Sequence, residues 1–564
     1  MLSKNNKGIT LVALVITIII LLILAGISIS VLTNTGIFGK AKEAKEKSED
    51  AQRNEQDILG QYMDELNKQS SDEKFEKIKG VNKPELMQGM KAIKFTDPSD
   101  DTEGTVQQVS DSTSTDWYDY GTKKWANAQT EDGSMWVWIP RYAYKVVYND
   151  PNDKSKGGKF DVVFLIGTTD DYYENGVRKT AKRQTKTNET VDTTTGYTVH
   201  PAFTNESSIG YANGGWNQEL TGIWAAKFEA GYATSNGNSA PKKASSVNYS
   251  QDIVWASWAE TGNGNDGELP ARNWIDGVYG SKTTAIKYPT FQGLTYSMNY
   301  INSNDAFNIS RALTEKDNIY GLSKSSTDSH LMKNSEWGAI AFLAQSQYGL
   351  NGTNIYINNA NLFNSQASAY AITGCAGETE DAAEVGVKID TTTNKPVTTD
   401  STKKIYTWIQ ANGTKASTTG TIYGIYDMSG ATWERTASLV NNGNEGLIKY
   451  GKSLMYSLIN GKSSQYVTVY PKGEKLEQSL EDASNANYFA NTNIYGDALR
   501  ETSTSSQNYS SWSSNYSQYV GLHRLYFIRG GNSWFSNSAG LFSFKSADGD
   551  STPLAGFRPV LVAL

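Results

Sequence analysis

The apolar positions of this 564-residue chain fall into two unlike patterns. From Ile9 to Leu32 they run almost unbroken, 24 residues without a charge and dominated by Ile, Leu, Val and Ala. As a helix rising 1.5 Å per residue the run reaches ~36 Å, enough to cross a hydrocarbon core of ~30 Å with some tilt. Lys4 and Lys7 precede it and the next charge is Lys40, so the flanks predict a cytoplasmic N-terminus with the bulk of the chain outside. A conventional cleaved signal peptide would carry an apolar stretch of only about 7–15 residues. Residues 34–70 then predict a solvated stalk helix, with Ile58, Leu59, Tyr62, Met63 and Leu66 at helical spacing and Glu43 placed four residues before Lys47. Residues 71–116 read as a linker, its end (Asp97 to Asp116) a low-complexity run of Asp, Ser, Thr and Gly.

From Trp117 the pattern changes to short alternations and turn residues. Trp136-Val137-Trp138-Ile139-Pro140-Arg141-Tyr142-Ala143-Tyr144 and Phe160 to Ile166 predict a β-hairpin joined through Asn149 to Lys159. A helix is expected from Asn334 through Ala344, with Trp337, Ile340, Ala341 and Ala344 on one face and Ser335 able to cap it. The expected fold class is α+β, rich in ordered loops.

Composition narrows the function. The 33 Tyr and 14 Trp are far too many for a disordered chain. One cysteine, Cys375, leaves no internal disulfide and no multi-thiolate zinc site. His200, His330 and His523 lie too far apart for a local metal motif; His200, before Pro201, is expected to contact backbone from a loop, and Cys375 to be a small buried residue. A net charge of −7 argues against nucleic acid as a partner.

Two resemblances add to this reading. Lys7-Gly8-Ile9-Thr10-Leu11-Val12 followed by the apolar run resembles the class III signal of type IV prepilins. The resemblance implies cleavage between Gly8 and Ile9 by a prepilin peptidase, methylation of Ile9, and a helix retained as membrane anchor, with pilin-like subunits as possible neighbours. The family carries a glutamate where this chain has Ala13, which points to a minor pilin-like or simply anchored protein. An unpaired carboxylate in an apolar setting is costly, so its presence or absence matters to assembly.

Further along, Trp136 to Arg141, Ser335-Glu336-Trp337-Gly338-Ala339, Tyr423 to Glu434, Ile528-Arg529-Gly530-Gly531-Asn532-Ser533-Trp534 and Ala555-Gly556-Phe557-Arg558-Pro559 form an ordered series. It resembles the formylglycine-generating-enzyme branch of the C-type lectin fold over residues 117–564, the scaffold that also carries variable proteins of diversity-generating retroelements. The resemblance implies a surface-displayed domain of a bacterial membrane protein that binds a glycan or a protein. The oxidative enzymes of this family hold copper on two cysteines near the C-terminus. Cys375 stands alone and far upstream, so no catalytic residue is assigned. On the residues themselves, Gly430 is expected to close a turn begun by Asp427 and Ser429. Trp433 is expected in the core, and Arg558 is expected to pair with Glu434 or Glu336.

The segment between the last two motifs is the candidate ligand-binding surface, through Asn532, Trp534, Phe535, Asn537, Ser543, Lys545, Asp548 and Asp550. Aromatic rings beside Ser, Asn and Asp supply rigid contact area with adaptable hydrogen bonds. The alternation of Leu541, Ser543 and Lys545 with Phe542 and Phe544 predicts a strand with one buried and one exposed face; a core strand followed by a polar turn is the other reading. Asp548-Gly549-Asp550 is compatible with a turn or with part of a calcium loop, though it lacks the EF-hand spacing. No cofactor is assigned; calcium stays possible and unplaced.

Overall fold

The computed structural model describes residues 16–22 and, from residue 80, all but 111–115, 188, 233–288, 300, 316–317, 362–370, 391–394, 475–478, 492, 551 and 553. The chain divides into two compact units, Met1–Phe75 and Glu76–Leu564. In the first, residues 16–22 are helical, and Ile16 and Leu22 are exposed. Among the described residues no helix is long and apolar enough to cross a membrane. The remainder of the expected span, the Gly8–Ile9 junction, Ala13 and the stalk lie outside the described residues.

The second unit is mixed α and β, mostly sheet with few helices. Its larger sheet has seven strands in the order Thr327–Leu331, Pro559–Ala563, Gly222–Ala226, Met135–Pro140, Asn127–Gln129, Lys91–Phe95 and Val106–Gln108, every pair antiparallel. Alternation in Trp136-Val137-Trp138-Ile139 produces a strand whose two faces are both buried, and Trp138 meets Trp224 across the ladder at 5.3 Å. Two of these strands correct the expected linker. Lys91–Phe95 buries Ile93 and Phe95, and Val106–Gln108 pairs with it although its own side chains are exposed. A short edge strand needs backbone partners more than apolar side chains, so composition alone does not betray it.

The predicted hairpin exists as Tyr142–Tyr148 against Gly158–Phe164. The apolar run before it breaks at Arg141, and its first half belongs to the seven-stranded sheet instead. Helix Asn334–Ala344 forms where expected, but it is buried on all sides and begins two residues earlier than a Ser335 cap requires, with Lys333 at the cap position. Its start is secured by the Glu336 carboxylate, which accepts the Lys333 backbone N–H at 2.8 Å, while the Ser335 hydroxyl has no hydrogen-bond partner among the described residues. Helices Ser303–Ala312, Gly446–Tyr456 and Leu480–Ala490 complete the long elements of the described residues.

A second, mixed sheet runs Thr468–Tyr470, Trp433–Val440, Tyr526–Gly530, Gly540–Ala547, with Ala555–Phe557 lying parallel to Trp433–Arg435. Arg558 is the single residue between this sheet and the Pro559–Ala563 strand of the first. It is fully buried and makes a two-pronged ion pair with Glu434, Nε to Oε2 at 2.9 Å and Nη2 to Oε1 at 2.6 Å. Nη1 and Nη2 also donate to the carbonyls of Ala226 and Tyr426 respectively. Of the two partners expected, Glu434 is the one engaged; Glu336 sits instead 2.8 Å from His330 Nε2 and 3.2 Å from Lys333 Nζ.

Around Arg558 the interior is crowded with acid. Burial raises Asp427 and Glu434 above the usual carboxylate range, and Arg558 opposes the rise for both. Burial, then Asp427 and Glu434, push Glu229 well above its ordinary value, while the Ser297 and Thr432 hydroxyls donate to its two oxygens and oppose the rise. Asp427 accepts from Asn358 Nδ2 and Gly374 N–H rather than from the turn it begins. The turn is closed as expected by Gly430 at φ 83°, where a Cβ would lie 2.3 Å from the Asn358 carbonyl oxygen.

Candidate functional site

The Tyr526–Gly530 strand ends at Gly530-Gly531, both at positive φ, and a Cβ on Gly531 would meet Ala539 Cα at 2.6 Å. That close approach folds residues 533–538 into a short 3₁₀ turn, from which the Gly540–Ala547 strand returns antiparallel. The turn projects Trp534, half of whose surface is exposed, with its ring 5.7 Å from Phe535. Phe535 is half-buried and sits edge-on to Trp433 and to Tyr516, each at 5.2 Å. Tyr516 in turn meets the exposed Tyr509 at 5.5 Å. Trp534, Phe535, Tyr516 and Tyr509 therefore make a ridge of rings seated on core Trp433. Lys545 leans against its base, Nζ 5.7 Å from the Phe535 centroid, and burial and Arg524 lower its pKa.

The same turn also supplies Asn537 to a cleft of about 220 Å³ lined with Asn354, Glu380, Asp381, Ser513 and Asn515. Asn515 braces it, accepting the Phe542 N–H and donating to the Ala539 carbonyl, both at 3.1 Å. The loops carrying ridge and cleft are conformationally unusual. Asn508, Tyr509, Ser513, Ser514 and Ser536 all have φ between 46° and 60°, a region costly for residues other than glycine. Such strain persists only where the surroundings over-determine it, and it gathers at recognition sites.

The eight expected ligand contacts divide. Trp534, Asn537 and Asp548 are exposed, and Phe535, Lys545 and Asp550 are half-buried. Asn532 and Ser543 are inside. Among the described residues Asn532 has no hydrogen-bond partner on either amide atom, whereas the Ser543 hydroxyl donates to the Ser538 carbonyl at 2.6 Å. The expected exposed face of the strand is thus corrected: residues 540–544 are buried on both faces, because the 508–517 loops cover what would have been the outer one. Asp548 lies 3.6 Å from Arg524, and the Asp550 carbonyl accepts from Arg435. Among the described residues no group of three or more His, Cys, Asp or Glu is arranged to hold a metal ion.

Sequence reasoning missed Tyr509, Tyr516 and the Ser513–Asn515 wall. The signal available was the Tyr509-Ser-Ser-Trp512-Ser-Ser-Asn515-Tyr516 run, whose aromatic and small polar mix matches that of residues 532–538. The groups considered for catalysis lie elsewhere. His200 is buried, its Nδ1 accepts the Ala202 N–H at 3.2 Å, and burial drives its pKa down to about 3. Cys375 is buried, which pushes its thiol well above the ordinary value. The chain matches no protein-family model and no curated protein.

Proposed function

We propose that the Glu76–Leu564 unit is a non-catalytic, C-type-lectin-like recognition domain of the formylglycine-generating-enzyme type, displayed on a bacterial cell surface by the N-terminal apolar segment. The observation that carries this reading is the Trp534–Phe535 pair, half open to solvent beside the polar cleft that shares its turn. An exposed ring stacks on the apolar face of a sugar while cleft amides and carboxylates take its hydroxyls. The ordered motifs from Trp136 to Pro559, the Arg558–Glu434 bolt and the glycine-closed turns support the lectin-like assignment.

A glycan and protein array probed with the full-length chain, with and without EDTA, tests the reading. Binding that Trp534→Ala or Phe535→Ala abolishes, with melting temperature retained, upholds it. Binding untouched by both substitutions moves the site elsewhere and overturns it.

A further inference from the structure

A second cavity, of about 290 Å³, shares no lining residue with the cleft beside Trp534. At that size it suits one small ligand of monosaccharide dimensions. Tyr148 and Tyr495 line it, Lys154 and Arg500 bring positive charge to it, and Asp192 and Glu501 are its acids.

The balance of charge is decided by what each group already does. Arg500 donates Nη1 to the Tyr488 carbonyl at 2.5 Å and sits over that ring, its guanidinium carbon 4.3 Å from the centroid. Lys154 Nζ sits 5.4 Å from the Tyr148 ring centroid. Neither cation has an ion-pair partner among the described residues. Asp192 is engaged, its oxygens accepting from Thr194 N–H, Thr194 hydroxyl and Thr195 hydroxyl. Glu501 is buried, with one oxygen accepting from Tyr144 and Gly496; burial, then Asp497, push it up to about 7, which removes much of its charge near neutrality. A guanidinium seated over a ring, with free N–H groups, is preorganised for a planar, two-oxygen anion, and a nearby ammonium adds a flexible second charge.

We infer that this cavity binds a carboxylate-bearing hydroxylated ligand, such as an acidic monosaccharide unit, with the carboxylate on Arg500 and Lys154 and the ring between Tyr148 and Tyr495. The site is independent of the Trp534 ridge, so the chain has two distinct recognition points.

Equilibrium dialysis of the full-length protein, held in a detergent without a sugar headgroup, tests this with glucuronate, glucose and inorganic phosphate as probes. Saturable glucuronate binding, at least tenfold tighter than glucose and weakened tenfold or more by Arg500→Gln, is the expected result. Lys154→Gln, on an exposed side chain, should weaken it severalfold and keeps the test decisive where Arg500→Gln lowers the melting temperature. Trp534→Ala should leave glucuronate binding unchanged, so loss of array binding in that variant speaks only to the ridge. Equal binding of glucuronate and glucose, tighter binding of phosphate, or wild-type binding by folded Arg500→Gln and Lys154→Gln proteins would overturn the inference.

Discussion

Arg558 and Trp534 flank the same short stretch of chain and are treated oppositely by the fold. Arg558 is fully buried, and its guanidinium is spent on one carboxylate and two carbonyls. Trp534 leaves half of its surface in water and touches the protein through Phe535. The first region is polar chemistry closed on itself; the second is apolar surface left open on strained loops. The contrast teaches that burial of charge here builds the frame, while exposure of rings marks the place where something else must complete the contact.

The largest expected effect breaks the closed side. Arg558→Ala strands Glu434 as an unpaired acid beside Asp427 and Glu229, and urea denaturation should show a loss of about 3–5 kcal/mol. A loss below about 1 kcal/mol would mean that the ion pair does not join the sheets. Next comes pH. Burial raises Glu206 from its ordinary 4.5 to about 7, so the folded state holds this proton more tightly than the unfolded chain does. Its contribution to stability is complete below pH 4.5 and lost as pH rises through 7, with a slope of up to ~1.4 kcal/mol per pH unit. Glu206→Gln should flatten the stability profile in that window.

Gly430→Ala, which forces a Cβ into left-handed backbone and against the Asn358 carbonyl, should cost about 2 kcal/mol or more by the same denaturation assay. Trp534→Ala sharpens the contrast from the open side: stability should change by no more than about 0.5 kcal/mol while array binding falls tenfold or more. A large loss of stability in that variant would place Trp534 with the frame.

Much of the frame was legible because its rules are local. The Asn334–Ala344 helix, the Tyr142–Tyr148 hairpin arm and the Gly430 turn each follow from spacing or from a glycine that backbone geometry demands. The Arg558 partner was narrowed to two because only an acid can neutralise an arginine in the interior, but the choice between them is a long-range fact. What sequence could not show was coverage. Ser543 alternates with its neighbours as an outward residue should, yet it is buried because loops more than twenty residues upstream fold over it. Tyr516 and Tyr509 join the ridge for the same reason, through contacts that no local period encodes. Helix Leu480–Ala490 was missed because its polar face dominates: four buried positions, among them Asn487 and Ser484, make no apolar stripe.

The Arg558 bolt also fixes an order of events. Its hydrogen bond to the Ala226 carbonyl spans 332 residues, and the strand that follows Arg558 lies between Gly222–Ala226 and Thr327–Leu331. At ~5–20 residues per second of synthesis, the earlier strands wait roughly 15–70 s for the one that closes their sheet. Until then the backbone edge of Gly222–Ala226 is open to any passing strand, and aggregation competes with folding. The late strand sets the clock for the whole sheet: contact order this long makes closure a slow, final step.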